Sequence, residues 1–460
     1  MSAESTRRIS PWVVFAITAT GIFITTLDLS IVNVAFAEIA KSYPKISRAG
    51  ISWIVTAYNI LFASLLVASG RTADRVGRKR LFQIGITIFA IGSALCAFAP
   101  TFAIVVAGRA IQGIGGAVLS PATLGLLLTA FPPERRTQIV SLWGGIGALG
   151  VATGPTLGAL MISTFGWRSA FWVNLPICAV AIIAGRRYLT ETAVQRSEHR
   201  PDYLGAAMVT VALASLALGL SEGGNWGWTS IRIISCFVVA VAIVPVFLAR
   251  QNVHPEPVLD LRLFDERTFS VANVASVVFG MAFAAMLLNN VLFLRTVWRY
   301  SVLEAGMASF ISPVTVAITS GFAGKLAGRI GFRPLLLFGP CMFATVGILE
   351  ATQLRAQHQL FVWLVLMVAL GISIGCTFPV LNASAVSKLP PARFAIGGAV
   401  NNTARQIGAV LGIALLVAVQ GTPTSPQSAA ASFHRGWVFA AVCSLLAALT
   451  CTQLPRRAQA

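Results

Sequence analysis

Charge is what this chain of 460 residues has least of: Asp, Glu, Lys and Arg make up 11% of it against 56% apolar residues, where a water-soluble domain averages about 25% charged. Water is therefore not the main solvent for its surface. Acids are scarcer still, 15 against 34 Lys and Arg, and there are only 4 His. The 7 Cys sit in apolar stretches with no CxxC pair and no His at ligand spacing, which leaves no metal site and makes them small packing residues. No GxxxxGK[ST] loop occurs to cradle ATP phosphates, and no nucleophile constellation stands out. Neither an enzyme nor a cofactor is expected. Short alternating strands are missing too, which excludes the β-barrel as a way of satisfying the backbone in lipid.

What is present is a series of fourteen apolar runs between residues 11 and 454, each near the ~20 residues that cross a bilayer core. The expected class is all-α and polytopic. The formal charge of +19 invites a nucleic-acid reading until its location is noted: the basic residues crowd the tails and alternate loops around 75, 135, 186–200, 250–267, 325–333 and 388–393. That is the positive-inside bias. It predicts a multi-pass protein of the cell (inner) membrane with both termini cytoplasmic, and it makes a nucleic-acid partner unnecessary. Trp53, Trp167, Trp226, Trp228, Trp298 and Trp437 fall at predicted outer helix ends, as an interfacial belt would.

One unusual segment occurs twice. "GRTADRVGRKR" at 70–80 follows the second run and "GKLAGRIGFRP" at 324–334 follows the tenth, aligning Gly70, Ala73, Arg75, Gly77 and Lys79 with Gly324, Ala327, Arg329, Gly331 and Arg333. Duplicated halves are the usual construction of secondary transporters. The predicted organisation is an N-terminal six-helix bundle over 1–185, a linker with two inserted helices (203–220 and 231–249) over 186–267, and a C-terminal six-helix bundle over 268–460. The 70–80 segment reads as a cytoplasmic loop whose glycines allow a short connection and whose Asp74, among Arg75, Arg78 and Lys79, can accept from free helix amides. A latch onto 395–398 is expected; a plain basic loop is the alternative.

Only one acid, Asp28, lies well inside a run; the remainder fall in predicted cytoplasmic segments or, like Glu38, Glu222, Glu304 and Glu350, near outer helix ends. Asp28 is eight residues from Phe36, about 12 Å at ~1.5 Å per residue, and Arg109 is equally far from Thr101, so the two share a depth. Arg109, Gln112, Gly113 and Gly116 occupy one face of the fourth run. In the fifth, Gly147, Gly150, Gly154 and Gly158 line a face and Pro155 removes a backbone hydrogen bond, giving a helix that packs closely and bends. An Asp and an Arg whose separation changes between conformations can take up and release a proton; a permanent structural pair and a site for a substrate cation fit the same residues. Thr25, Gln112, Asn401, Asn402 and Arg405 complete the expected polar set of a central cavity, with the Asn401, Asn402 and Arg405 cluster lining or bracing it.

These stretches resemble a known family. "GRTADRVGRKR" is similar to the cytoplasmic signature of the major facilitator superfamily, "GRAIQGIGGAVLSPA" to its Arg-containing fourth-helix motif, and "GVATGPTLGA" to the antiporter motif GxxxGPxxGG with Ala159 at the last Gly. "LDLSIVNVA", "WRSAFWVNLPI", "LSEGGNWGW" and "NNTARQIGAVLGIAL" resemble elements of its fourteen-helix drug:proton antiporters. Gly328 stands where the family often has Asp in the second-half loop, so a latch there lacks its carboxylate. The resemblance implies a major facilitator fold, a hinge or seal between halves at Gly150, Gly154, Pro155 and Gly158, and export of small amphipathic or lipophilic molecules in exchange for protons. Membrane lipid is then the surrounding partner, the proton gradient the only energy source, and a monomer the expected state. A lipid or lysolipid translocase and an exporter of one metabolite or antibiotic are the competing readings.

Overall fold

The computed structural model describes residues 10–132, 135–191, 201–355, 357–389, 394–421 and 426–455. The first half holds α1 (Pro11–Ser42), α2 (Arg48–Val76), α3 (Arg78–Ala97), α4 (Phe102–Ala130), α5 (Arg136–Phe165), a short α6 (Ser169–Trp172) and α7 (Asn174–Tyr188). Then come α8 (Tyr203–Trp226) and α9 (Ile231–Val253), followed by α10 (Arg267–Thr296), α11 (Val302–Ile330), α12 (Phe332–Gln353), α13 (Leu360–Val386), α14 (Phe394–Gln420) and α15 (Pro426–Cys451). Fourteen of these are long helices, and among the described residues 13 are apolar and long enough to cross a membrane. The protein is a multi-pass membrane protein of two six-helix bundles with two helices between them. We call the end carrying residues 10 and 455 the terminal end, and the opposite one the distal end.

The 70–80 segment is not a loop. α2 continues through Arg71, Asp74 and Arg75, Gly77 alone leaves the helix at φ +107°, and α3 begins at Arg78. The repeat behaves identically: α11 runs to Ile330, Gly331 turns at φ +89°, and α12 starts at Phe332. Each glycine amide bonds back to the repeated alanine, Gly77 to Ala73 O at 3.1 Å and Gly331 to Ala327 O at 2.9 Å. Charged side chains at a helix end reach water without unwinding the backbone; only the positive φ demands a residue without Cβ.

Small residues set the packing. α3 and α4 meet so closely that a Cβ at Gly115 would lie 2.5 Å from the Phe89 amide nitrogen, and one at Gly113 would lie 2.6 Å from Tyr58 O of α2. In the second bundle α10 is central, packed by α13, α14 and α15. α8 and α9 pack on each other, and α8 also lies against both α2 and α14, with Thr210 Oγ1 donating to Ser64 Oγ at 2.7 Å. At the distal end the bundles touch directly: a Cβ at Gly306 of α11 would lie 2.5 Å from both Pro155 O and Ala159 Cβ of α5, and Arg295 of α10 is ion-paired to Glu38 of α1. Toward the terminal end of α11, Cβ positions at Gly321, Gly324 and Gly328 meet nothing within 4 Å, and Phe322, Leu326 and Ile330 are exposed.

Trp167, Trp298 and Trp437 do not form an interfacial belt. All three are buried, Trp298 and Trp437 around Phe293 with Trp363; Trp226 and Trp228 are exposed. An indole whose N–H finds a partner, as Trp298 does at Arg355 O (2.8 Å), packs inside a bundle at no penalty.

Candidate functional site

The first bundle is organised about Asp28. Its Oδ2 accepts from Arg109 Nη1 at 2.5 Å, and its Oδ1 accepts from Gln112 Nε2 at 3.1 Å and Asn174 Nδ2 at 3.0 Å. Arg109 is held in turn by Ile54 O, which accepts from Nε at 2.8 Å, by Gln112 Oε1 at 2.8 Å, and by the Tyr58 ring, whose centroid lies 4.5 Å from Cζ. Ser93 Oγ accepts from Gln112 Nε2 at 2.7 Å. Asp28, Ser93, Arg109, Gln112, Asn174 and Tyr58, drawn from α1, α3, α4, α7 and α2, are all wholly inaccessible to solvent. A charged pair without water is held together by low dielectric and the hydrogen bonds around it, and is expensive to break from one side only.

Cavity lining is a different matter. Gln112 belongs to this sealed cluster, and Thr25 is buried with its hydroxyl bonded to Gly21 O and Ile22 O of its own helix, so neither lines an opening. Asn401 is buried, donating to Ser276 Oγ (2.8 Å) and Asn273 Oδ1 (3.3 Å) of α10; it braces α14. Asn402 is half-buried and Arg405 exposed, with Arg405 Nη2 donating to Asn402 Oδ1 at 2.7 Å. Of the second-half polar residues, these two face open space.

The glycine face of α5 packs within its own bundle. A Cβ at Gly150 would strike Thr26 Oγ1, one at Gly154 Ser30, and one at Gly158 Ile31 Cγ1 at 2.5 Å, all on α1. The contact with the other half is made one step round the helix by Pro155 and Ala159. Of the residues expected at the seal, Pro155 does face the other half, whereas the three glycines meet α1: small residues mark a close approach without naming the partner.

In the motif at 70–79, a Cβ at Gly70 would lie 3.6 Å from Pro121 Cβ of α4, Arg75 is half-buried, and Arg78 Nη1 donates to Gly125 O of α4 at 2.9 Å. Lys79 Nζ donates to Arg186 O at 3.2 Å, while Glu191 accepts from the Lys79 and Arg80 amides at 3.0 and 3.1 Å, capping α3. These anchors lie on α4, α7 and the segment just after α7, and Thr72 is hydrogen-bonded to Tyr203 OH of α8 at 2.8 Å. The side chains of Asp74 and Ala395 lie outside the described residues.

Other residues were not singled out by the sequence. Asn174 and Ser93 complete the Asp28 shell; Asn174 lies inside the quoted "WRSAFWVNLPI", which was the available signal. Glu350, placed by counting near a helix end, is wholly buried in α12, accepting from Asn290 Nδ2 at 3.0 Å, and Asn290 Oδ1 accepts from Trp437 Nε1 at 2.6 Å. Asp28 is therefore not the only acid inside the protein. The Glu38–Arg295 tie had no sequence signal, because its members are 257 positions apart.

The sequence matches the family profile of the Major Facilitator Superfamily over residues 18–413. It is 31% identical over 404 residues to multidrug resistance protein Stp of Mycobacterium tuberculosis, spanning 87% of this chain and 74% of that protein. Over 417 residues it is 32% identical to the methylenomycin A resistance protein of Streptomyces coelicolor (90% and 87% covered), and over 405 residues 28% identical to the riboflavin transporter RibZ of Clostridioides difficile (88% and 87%). Among solved structures, a D-xylose-proton symporter superposes with a TM-score of 0.70 at 15% identity, covering 97% of this chain and 98% of the other; at that identity it speaks to the fold.

Proposed function

The chain belongs to the Major Facilitator Superfamily, and we propose that it is a proton-coupled antiporter that exports small amphipathic or lipophilic molecules across the cell (inner) membrane. The observation that carries this reading is the sealed Asp28–Arg109 pair: one carboxylate receives three donors and is wholly shielded from water. Such an acid gives up its proton where Arg109 can reach it and takes one up where the pair is parted. The basic loops support a cytoplasmic terminal end and both chain ends inside the cell. On that orientation the Glu38–Arg295 ion pair and the approach of Gly306 to Pro155 and Ala159 join the bundles on the outer side. In the proposed cycle the proton has left Asp28 to the cytoplasmic side, Arg109 has re-formed its pair, and cargo binds from within. Outward opening breaks the distal contacts, releases cargo, and exposes Asp28 to the next proton.

Relatives named for multidrug and methylenomycin A resistance support a drug-like cargo. One named for riboflavin transport keeps a single-metabolite exporter as the second reading. The test is accumulation in proteoliposomes with an imposed pH gradient and a panel of cationic, neutral, anionic and lipid amphipaths. Uphill accumulation that collapses with the gradient and in Asp28→Asn is the expected result; uptake indifferent to the gradient overturns proton coupling.

A further inference from the structure

The sealed pair in the first bundle leaves an imbalance in the second. Asp28 and Arg109 neutralise one another out of solvent, whereas Arg405 is exposed at about 17 Å along α14 from Phe394, at ~1.5 Å per residue, and so near the middle of that helix. Among the described residues no carboxylate pairs with it. Its one side-chain hydrogen bond runs to Asn402, and its guanidinium lies over the Phe378 ring of α13 at 5.3 Å. That ring is gripped edge-on by Phe279 and Phe283 of the central helix α10, at 5.0 and 5.2 Å. The guanidinium is therefore directed inward between α13 and α14. Asn382, one turn beyond Phe378, is exposed on the same side.

A guanidinium stacked on a fixed aromatic keeps its orientation and still offers several N–H donors in its plane, the geometry that receives a carboxylate or phosphate fork-to-fork. The phenylalanines beside it offer an apolar wall. We infer that Arg405, with Asn402 and Phe378, is a recognition site for an anionic head carried on an apolar body, so that the exported molecules are acidic or zwitterionic amphipaths rather than simple cations. This deepens the export reading and rests on it for direction, though not for the binding itself. Asp28 is too deeply occluded to attract a cationic cargo in this state, whereas Arg405 is exposed.

The test uses the full chain in phosphatidylcholine nanodiscs and three probes sharing one apolar body: pyrenebutyrate, pyrenebutyramide and pyrenebutyl-trimethylammonium. Binding is read by energy transfer from tryptophan, with empty nanodiscs subtracted. The carboxylate should bind about ten- to hundredfold more tightly than the amide, as a charge-assisted hydrogen-bonded pair allows, and the ammonium more weakly than either. Arg405→Gln should erase the difference, with an unaltered size-exclusion profile and thermal melt showing the fold intact; Arg405→Lys should restore part of it. Replacing a quarter of the lipid by phosphatidylglycerol distinguishes two sources of the same chemistry. Competition lost in Arg405→Gln assigns the site to a lipid headgroup, and no competition to a soluble amphipath; both uphold an anion site. A carboxylate that binds no better than the amide, or a preference that survives Arg405→Gln, overturns it. Loss of proton-driven flux with the preference intact would instead count against the transport cycle alone.

Discussion

Replacing Asp28 by Asn removes one negative charge from a cluster with no access to water, and the consequences follow from the donors around it. Arg109, Gln112 and Asn174 all aim hydrogens at the carboxylate. An amide keeping its oxygen toward Arg109 must point its own N–H groups at two other donors. Asn174 can yield, because its Oδ1 has no partner among the described residues and a flip of its amide would accept from the new nitrogen. Arg109 cannot: it stays buried, keeping Ile54 O, Gln112 Oε1 and the Tyr58 face but losing its counter-charge. Removing one partner of a buried pair costs about 3–5 kcal/mol, and the retained contacts place this site at about 3. Total stabilities of about 5–15 kcal/mol tolerate that loss, so the variant should fold.

The signature is coupling. Arg109→Gln alone strands the carboxylate and should destabilise comparably, whereas the double variant, with neither charge left, should lose about 2–3 kcal/mol less than the sum of the two. The assay is reversible denaturant unfolding in mixed micelles for all four proteins, beside gradient-driven accumulation in proteoliposomes. Additivity within about 0.5 kcal/mol would refute the argument from the buried pair. Accumulation by Asp28→Asn equal to the unaltered protein would place the proton elsewhere, with the buried Glu350 the next acid to test.

Gly154→Leu should wedge α1 from α5 at Ser30 and lower folded yield, while Gly306→Leu, whose Cβ meets Pro155 and Ala159 across the bundles, should fold and favour distal opening; spin-label distances across that end separate the two. Gly77→Ala strains a φ of +107° and crowds the Glu191 carboxylate, a loss of about 1–3 kcal/mol that a thermal melt should record. Glu38→Gln should weaken the Arg295 tie and lengthen the same distal distances, and Arg295→Gln should do so without further effect when combined with it. Burial opposes ionisation of Asp202, but the Gly205 amide, Arg250 and Gln251 more than offset it and hold the carboxyl below its ordinary 3.8. Its stabilisation is therefore present above that value and lost as pH falls through the lowered one. The melting difference between the unaltered protein and Asp202→Asn, worth about 1–2 kcal/mol at neutral pH, should shrink on the acid side only.

Counting residues from a span's end gives depth, and depth was enough to bring Asp28 and Arg109 together, because α1 and α4 enter the bundle at fixed ends and rise at one rate. Depth says nothing about which neighbour a face meets. The small face of α5 was plain in the spacing of Gly150, Gly154 and Gly158, yet its occupant, α1, is set by three-dimensional packing, and the contact across the bundles fell to Pro155 and Ala159. Burial across the bundle is equally silent in linear position. Glu350 sits three residues before the end of α12, where counting places it at the headgroups, but Asn290 and Trp437 close over it from α10 and α15. The motif at 70–80 misleads for the converse reason: its charges suggest a loop although a helix end solvates them without unwinding, and only Gly77 carries backbone information. Arg405 combines both lessons. Its depth was legible from the sequence, but a cation at mid-helix becomes a recognition group only where its counter-charge is missing and its stacking partner is fixed, and Phe378 is fixed by Phe279 and Phe283 from α10, a helix far earlier in the chain.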